Sequence, residues 1–237
     1  MEVEYVGKCL LLNIDGKKIL VIGDLHLGYS ESLRRSGVLI PGDSFKEVVR
    51  ELGKIMEKTG NVNEIVLLGD LKHEFGGISN AEWREIKELL DYLKKKGKVI
   101  IVKGNHDKIT EVITKQKGLG LVDYYIIDGV AFVHGDRKLE ESEIYDKKIK
   151  YWVIGHGHPA IKITDNVKEE KYKCFLVGKY KKKDVIIVPS FFDVNLGSDP
   201  RDFDLGLAWK FDLMRFVVRV IEGLDVLNFG ELGKLNY

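Results

Sequence analysis

The segment KILVIGDLHLG, residues 18–28, is an apolar run closed by a glycine, after which Asp24 and His26 stand with one residue between them. Consecutive aliphatic residues with no polar alternation predict a strand buried on both faces. The acid and the imidazole then fall at its carboxyl end. The same phrase recurs four times. EIVLLGDLKHEFGG (64–77) presents Asp70 and His73, and KVIIVKGNHD (98–107) presents Asn105, His106 and Asp107. GVAFVHGD (129–136) presents His134 and Asp136, and YWVIGHGH (151–158) presents His156 and His158. The five phrases contain all six histidines of the 237-residue chain.

Between the early phrases the period changes to that of a helix. SFKEVVRELGKIMEKTG (44–60) puts Phe45, Val48, Val49, Leu52, Ile55 and Met56 on one stripe. SNAEWREIKELLDYLKKKG (79–97) does the same with Trp83, Ile86, Leu90 and Leu93, opens on a Ser79–Glu82 capping box, and stops at lysines and Gly97. Strand and helix in alternation predict an α/β sheet with parallel strands. Further on, YYIIDGVAFVHGD reads as a hairpin turning at Asp128-Gly129. KCFLVGKYKKKDVIIVPSFF (173–192) reads as a second hairpin and MRFVVRVIEG (214–223) as an alternating strand. No solenoid repeat and no long linker divides the chain, so one domain over 1–237 is expected.

Composition narrows the class. Apolar content of 44%, charged content of 32% and net charge +1 describe a globular chain whose overall field does not advertise nucleic acid. No apolar run approaches the roughly 18–20 residues of a membrane span, and the N-terminus does not read as a leader. Cys9 and Cys174 suggest neither a disulfide framework nor a CxxC metal site, which fits a cytoplasmic protein with no membrane contact. Abundant Lys and Glu with a single glutamine, Gln116, match a thermophilic bias.

In open α/β sheets, ligand sites form beyond the carboxyl ends of the strands. Singly, each phrase has a plain reading: a Gly-Asp turn, a helix N-cap at GNHD, or a histidine satisfied in the core. Jointly they place Asp24, His26, Asp70, Asn105, His134, His156 and His158 at one edge, more donors than one ion needs. Imidazole, carboxylate and amide oxygen suit divalent metals such as Mn, Fe or Zn, and two ions sharing a carboxylate fit the number. Gly155 and Gly157 leave room for the histidines to converge.

The ordered set D-x-H, GD, GNHD, H and GHxH resembles the calcineurin-like metallophosphoesterase superfamily over residues 24–158. That resemblance implies an α/β (α+β) chain folded as a four-layer αββα sandwich, two mixed β-sheets flanked by helices. It implies two divalent ions per chain, Mn²⁺ foremost, with Fe, Zn, Ni or Mg as alternatives. Asp24, His26 and His158 would hold one ion, Asn105, His134 and His156 the other, and Asp70 would bridge. His106 takes the role of proton donor or transition-state stabiliser. GDLKH with GNHD looks like the SbcD-type DNA nuclease branch, in which His73 would contact the phosphate or steer His106. A short group of SbcD-related phosphoesterases, some linked to DNA repair, shares the DLHLGY start.

The expected activity is therefore metal-dependent hydrolysis of phosphodiester bonds in DNA or RNA, with a repair protein as a further expected partner. The alternative is hydrolysis of small cyclic or dinucleotides. A non-catalytic scaffold, such as the superfamily's retromer subunit, is disfavoured by retention of His106 and the whole ligand set. SbcD-type enzymes carry a capping domain and a tail after the core, whereas 79 residues follow His158 here. Arg34, Arg35 and Arg137 are candidate substrate contacts near the mouth. Lys179, Lys181, Lys182 and Lys183 read more simply as a solvated hairpin tip.

Overall fold

The buried phrases do form strands, and they divide between two sheets. The computed structural model describes residues 1–39, 42–74, 77–107, 109–164 and 168–235. The first sheet contains β1 (Glu2–Val6), β2 (Cys9–Ile14), β3 (Lys17–Ile22), β4 (Glu64–Leu67), β5 (Lys98–Val102) and β6 (Leu121–Val122), in that order. β1, β2 and β3 pair antiparallel, and β3 to β6 run parallel. The crossovers carry α1 (Tyr29–Arg35), α2 (Ser44–Thr59), α3 (Asn80–Lys94) and α4 (Thr110–Gln116).

The second sheet contains β7 (Tyr124–Ile127), β8 (Val130–Val133), β9 (Tyr151–Ile154), β10 (Ala160–Thr164), β11 (Glu169–Tyr180), β12 (Lys183–Ile187), β13 (Val217–Glu222) and β14 (Asp225–Glu231). Its order is β14-β13-β11-β12-β9-β8-β7, with β10 paired to β11. β8, β9 and β12 are parallel neighbours and the remaining pairs are antiparallel. This is the mixed two-sheet α/β architecture that the resemblance implied. The hairpin between β7 and β8 turns at Asp128 and Gly129, with φ of 44° and 79°, the left-handed pair of a two-residue turn. The N-terminal hairpin, α1, α4, β10 and β14 were not anticipated.

Side-chain alternation places three layers of core. Ile19, Val21, Val66, Leu68 and Val102 point between the sheets and meet Val130, Phe132, Val153, Phe175 and Ile186. Leu20, Ile22, Ile65, Leu67, Val99 and Ile101 point outward, where α2 covers them with Val48, Leu52 and Ile55, α3 with Ile86, Leu90 and Leu93, and α4 with Ile113. Each such aliphatic side chain taken fully from water stabilises by roughly 1.5–3 kcal/mol. α3 starts at the expected reciprocal cap, in which Glu82 N donates to Ser79 Oγ (3.1 Å) and Ser79 N donates to Glu82 (2.7 Å). The outer face of the second sheet is covered differently. Trp152, Ile154, Val185, Ile187 and Val218 meet Ile144, Leu205, Trp209, Phe216 and Leu232. Those residues come from short 3-10 turns and from the irregular stretch 199–216, and among the described residues no α-helix joins this cluster.

Candidate metal centre

The carboxyl ends of β3, β4 and β5 in one sheet and of β8 and β9 in the other arrive at a common edge. Each delivers the residues that follow it in sequence: Asp24 and His26, Asp70, Asn105 and His106, His134, then His156 and His158. Main-chain pairing continues past the strands and locks the turns together. Leu25 N and His26 N both donate to Asp70 O (3.1 and 2.9 Å), and His73 N donates to Leu27 O (3.0 Å). His26, Asp70, His156 and His158 all have positive φ, between 40° and 62°. Non-glycine residues rarely adopt that region, and their concentration at one spot marks a backbone held in place for its side chains. At Gly104 a Cβ would collide with Asp70 Oδ1 and lie 2.5 Å from Asp70 N, so only glycine lets the third turn close on the second.

Two ligand groups meet at Asp70. In the first, His158 Nε2 is 3.2 Å from Asp24 Oδ1 and 3.4 Å from His26 Nε2, and His26 Nε2 is 3.8 Å from Asp70 Oδ2. In the second, His134 Nε2 is 3.4 Å from Asp70 Oδ2, 3.1 Å from Asn105 Oδ1 and 3.2 Å from His156 Nδ1. Asp70 Oδ2 faces both groups, and His106 Nε2 reaches the same atom at 3.9 Å. Asp24, His26, Asp70 and His134 are buried.

The donor set fits divalent cations on its own geometry. Within each group two imidazole nitrogens converge, at 3.4 and 3.2 Å, so that with both lone pairs turned inward the pair can grip a cation alongside a carboxylate. His134 donates from Nδ1 to Leu68 O (2.6 Å), which leaves Nε2 as the atom aimed at the cluster. Burial opposes a charge on His134, but its hydrogen bond to Asp70 and the field of Asp24 overcome this and raise its pKa to about 10. A proton thus occupies the atom that would bind an ion. Burial pushes Asp24 and Asp70 upward, yet His158 holds Asp24 below its usual range and His134 does the same for Asp70. Burial lowers His26 to about 3 and also lowers His156, on which the charge of His134 acts in the same direction. Asp24, His26 and His158 can therefore hold one ion, and Asp70, His134 and His156 with Asn105 another.

His106 N donates to Asp70 Oδ1 (2.9 Å), and its Nδ1–H donates to the main-chain carbonyl of His73, so Nε2 faces the cluster. The His73 ring lies outside the ligand groups, 6.0 Å from the His106 ring and 4.0 Å from the Tyr29 ring. Burial, with His106 second, lowers its pKa. Asp107 accepts from Leu71 N, Gly104 N and Thr110 Oγ1 (3.0, 3.0 and 3.2 Å), which pins the GNHD turn to the GDLKH turn. Burial raises its carboxyl, as does neighbouring Asp70.

The three arginines each carry a carboxylate partner. Arg34 and Arg35 lie at 4.0 and 3.4 Å from Glu31 on α1, and Arg137 lies 2.5 Å from Asp123 and 3.8 Å from Asp136. The sequence reading missed Phe192, whose ring sits 4.8 Å from His26 and 5.7 Å from His158. It also missed Lys173, which holds the same loop by donating to Ser190 Oγ (2.6 Å) and Asn195 O (3.1 Å). The signal was present in VIIVPSFF: β12 is parallel to β9, so its end reaches the same edge, but with aromatic residues in place of titratable ones.

Residues 17–221 match the family model described as calcineurin-like phosphoesterase. No protein of curated function matches the chain. Among solved structures, a nuclease termed MPE from Pseudomonas putida is 14% identical and superposes with a TM-score of 0.62, covering 92% of this chain and 100% of that one. Zinc-complexed wild-type Vps29 from Entamoeba histolytica is 16% identical with a TM-score of 0.41, covering 90% of this chain and 99% of that one.

Proposed function

The chain belongs to the calcineurin-like phosphoesterase family, and from that premise we propose that it is a dinuclear enzyme hydrolysing phosphodiester bonds in DNA or RNA. The observation that carries the proposal is the convergence on Asp70 Oδ2 of two ligand groups and of His106 Nε2. Two divalent ions, Mn²⁺ foremost, would be held by Asp24, His26 and His158 on one side and by Asn105, His134 and His156 on the other, with Asp70 shared. Bound there, such ions supply positive charge to phosphoryl oxygens and acidify a water. The protein's own contribution is to hold the donors rigidly and to place a proton. With Nδ1 tied to the His73 carbonyl, His106 directs Nε2 toward the position of a leaving oxygen and can donate a proton there. Tyr29, His73 and Phe192 line the side next to the first ligand group with planar rings, which favours a nucleotide-based ester over a phosphoprotein. A repair-protein partner and a cytoplasmic location accompany this reading.

The test is a substrate panel with Mn²⁺: bis-p-nitrophenyl phosphate, single-stranded DNA, RNA, and cyclic and linear dinucleotides. Turnover of the polymers supports the proposal. Turnover confined to small nucleotides replaces it with a small-nucleotide phosphodiesterase, and no turnover of any ester leaves a scaffold.

A further inference from the structure

On the outer face of the second sheet, away from the ligand groups, lies a cavity of 340 Å³ floored by Trp152 and Trp209 and flanked by Tyr145 and Tyr180. Lys138, Lys181 and Lys183 complete its wall, and among the described residues the lining holds no carboxylate. We infer that this aromatic and basic cavity is a second subsite, which takes one nucleotide of a single-stranded nucleic acid and anchors the strand beside the metal centre. The inference rests on the nucleic-acid reading of that centre.

Size, charge and ring geometry all point to such a ligand. The volume falls within the roughly 300–1,000 Å³ of ordinary ligand pockets. Tyr145 is 40% exposed, and its hydroxyl is fixed by Trp209 Nε1, which donates to it (3.2 Å). The Trp152 ring lies 5.7 Å from Tyr145, 5.9 Å from Tyr180 and 5.1 Å from Trp209, so the cluster is a continuous packed platform. The lysines stand at its rim. Lys181 lies over Tyr180 (5.4 Å) and Lys183 over Trp152 (5.9 Å), while Lys183 Nζ is set by the carbonyls of Asp146 and Ile149, 2.8 Å each. Burial lowers the Lys183 pKa and the Asp146 carboxylate acts on it in the opposite direction, so the exposed Lys138 and Lys181 supply the rim's charge toward solvent. Aromatic faces with cations at their edges are what bases and phosphates of a single strand require.

The subsite also connects to the centre. Segment 205–209 starts at the second ligand group, where a Cβ on Gly206 would lie 3.3 Å from His156 Nε2, and Ala208 N donates to Gly135 O (2.9 Å). It ends at Trp209 in the cavity floor. Gly206 and Trp209 are three residues apart, at most about 11 Å of extended chain, while Lys183 begins β12 and the ligand edge lies beyond its other end at Ile187, so a strand anchored in the cavity must run several nucleotides to bring a phosphodiester to the ions.

The experiment titrates metal-loaded enzyme with a hydrolysis-resistant phosphorothioate oligonucleotide and follows tryptophan fluorescence, since Trp152 and Trp209 form the floor. Quenching is expected, with a log–log salt slope that falls by about 1.4 when Lys138→Glu and Lys181→Glu are combined, two phosphate contacts at about 0.7 each. Both lysines are exposed, so the fold tolerates the exchange. Tyr145→Leu should weaken binding about five- to a hundredfold, the loss of one base–aromatic stack. Binding and slope unchanged in both variants overturn the inference, as does a polyglutamate peptide that binds as tightly as the oligonucleotide. A nucleoside monophosphate that quenches where the oligonucleotide does not overturns the strand-binding assignment. Hydrolysis of unmodified oligonucleotide is scored in parallel: its absence sinks the proposed function, whereas its presence with variant-insensitive binding sinks the subsite alone.

Discussion

His26 and His134 are equally hidden, 6% and 2% exposed, and both face Asp70, yet their protons behave in opposite ways. Burial drives His26 down to about 3, and the neighbouring His158 and His106 reinforce that against the pull of Asp24 and Asp70. His134 rises to about 10, because its hydrogen bond to Asp70 and the field of Asp24 outweigh burial. Packing explains the difference. His26 is ringed by His73, His106, His158 and Phe192, and among the described residues its buried Nδ1 has no hydrogen-bond partner. His134 is anchored through Nδ1 to Leu68 O, which aims Nε2 at the carboxylate. One edge of the fold thus offers an ion a neutral imidazole on one side and a protonated one on the other.

The severest way to break this comparison is to neutralise the carboxylate both halves share. Asp70→Asn should lower metal content at both positions, and activity should fall by more than the about 10⁴-fold upper range for a lost proton donor. Mass spectrometry showing full metal loading in the variant would rule out the shared role. His106→Ala separates holding from reacting: metal content should stay intact while turnover of an ester with a poor leaving group falls about 10²–10⁴-fold. A good leaving group should recover part of that loss, and a rate within a few-fold of wild type on the poor one would refute the proton-donor role.

A gentler probe uses pH. Without metal, the raised His134 contributes stability that is fully present below its ordinary value of 6.5 and is lost as pH rises through about 10. The depressed His26 acts in the other sense, withdrawing stability as pH falls from 6.5 toward about 3. Metal must displace the His134 proton, so the increase in Tm on adding Mn²⁺ should be larger at about pH 8 than at about pH 6.5, with proton release visible by calorimetry in two buffers. Equal increases would mean that His134 is not a ligand. The smallest effect is expected from His73→Ala. What fixes His106 is a main-chain carbonyl that alanine also provides, so turnover should fall by much less than the about 10²-fold lower range for a lost proton donor. A loss as large as that of His106→Ala would show that the His73 side chain itself acts on substrate.

In the first sheet β3, β4 and β5 were legible because they are continuous aliphatic runs, and α2 and α3 because they are amphipathic with side-chain caps, signals that reside within a few residues of each other. The outer cover of the second sheet was not. Leu205, Trp209 and Phe216 come from an irregular stretch with no periodicity, and they are placed by what they meet across the fold. The same division runs through the site. Asp24, His26, Asp70, Asn105, His134, His156 and His158 were readable as candidate ligands because each follows a buried strand and parallel strands end at one edge, while the role of His106 came from the family resemblance. Phe192 follows a buried strand but carries no titratable group, and Lys173 stands within a strand; they reach this edge because β12 lies parallel to β9 and β11 lies beside it. The sequence by itself determined which atoms could bind and where along each strand they stand, because strand burial and turn chemistry are local. Which histidine keeps a proton and where Arg137 spends its charge were decided only by the tertiary structure, since each depends on distances between residues apart in the chain.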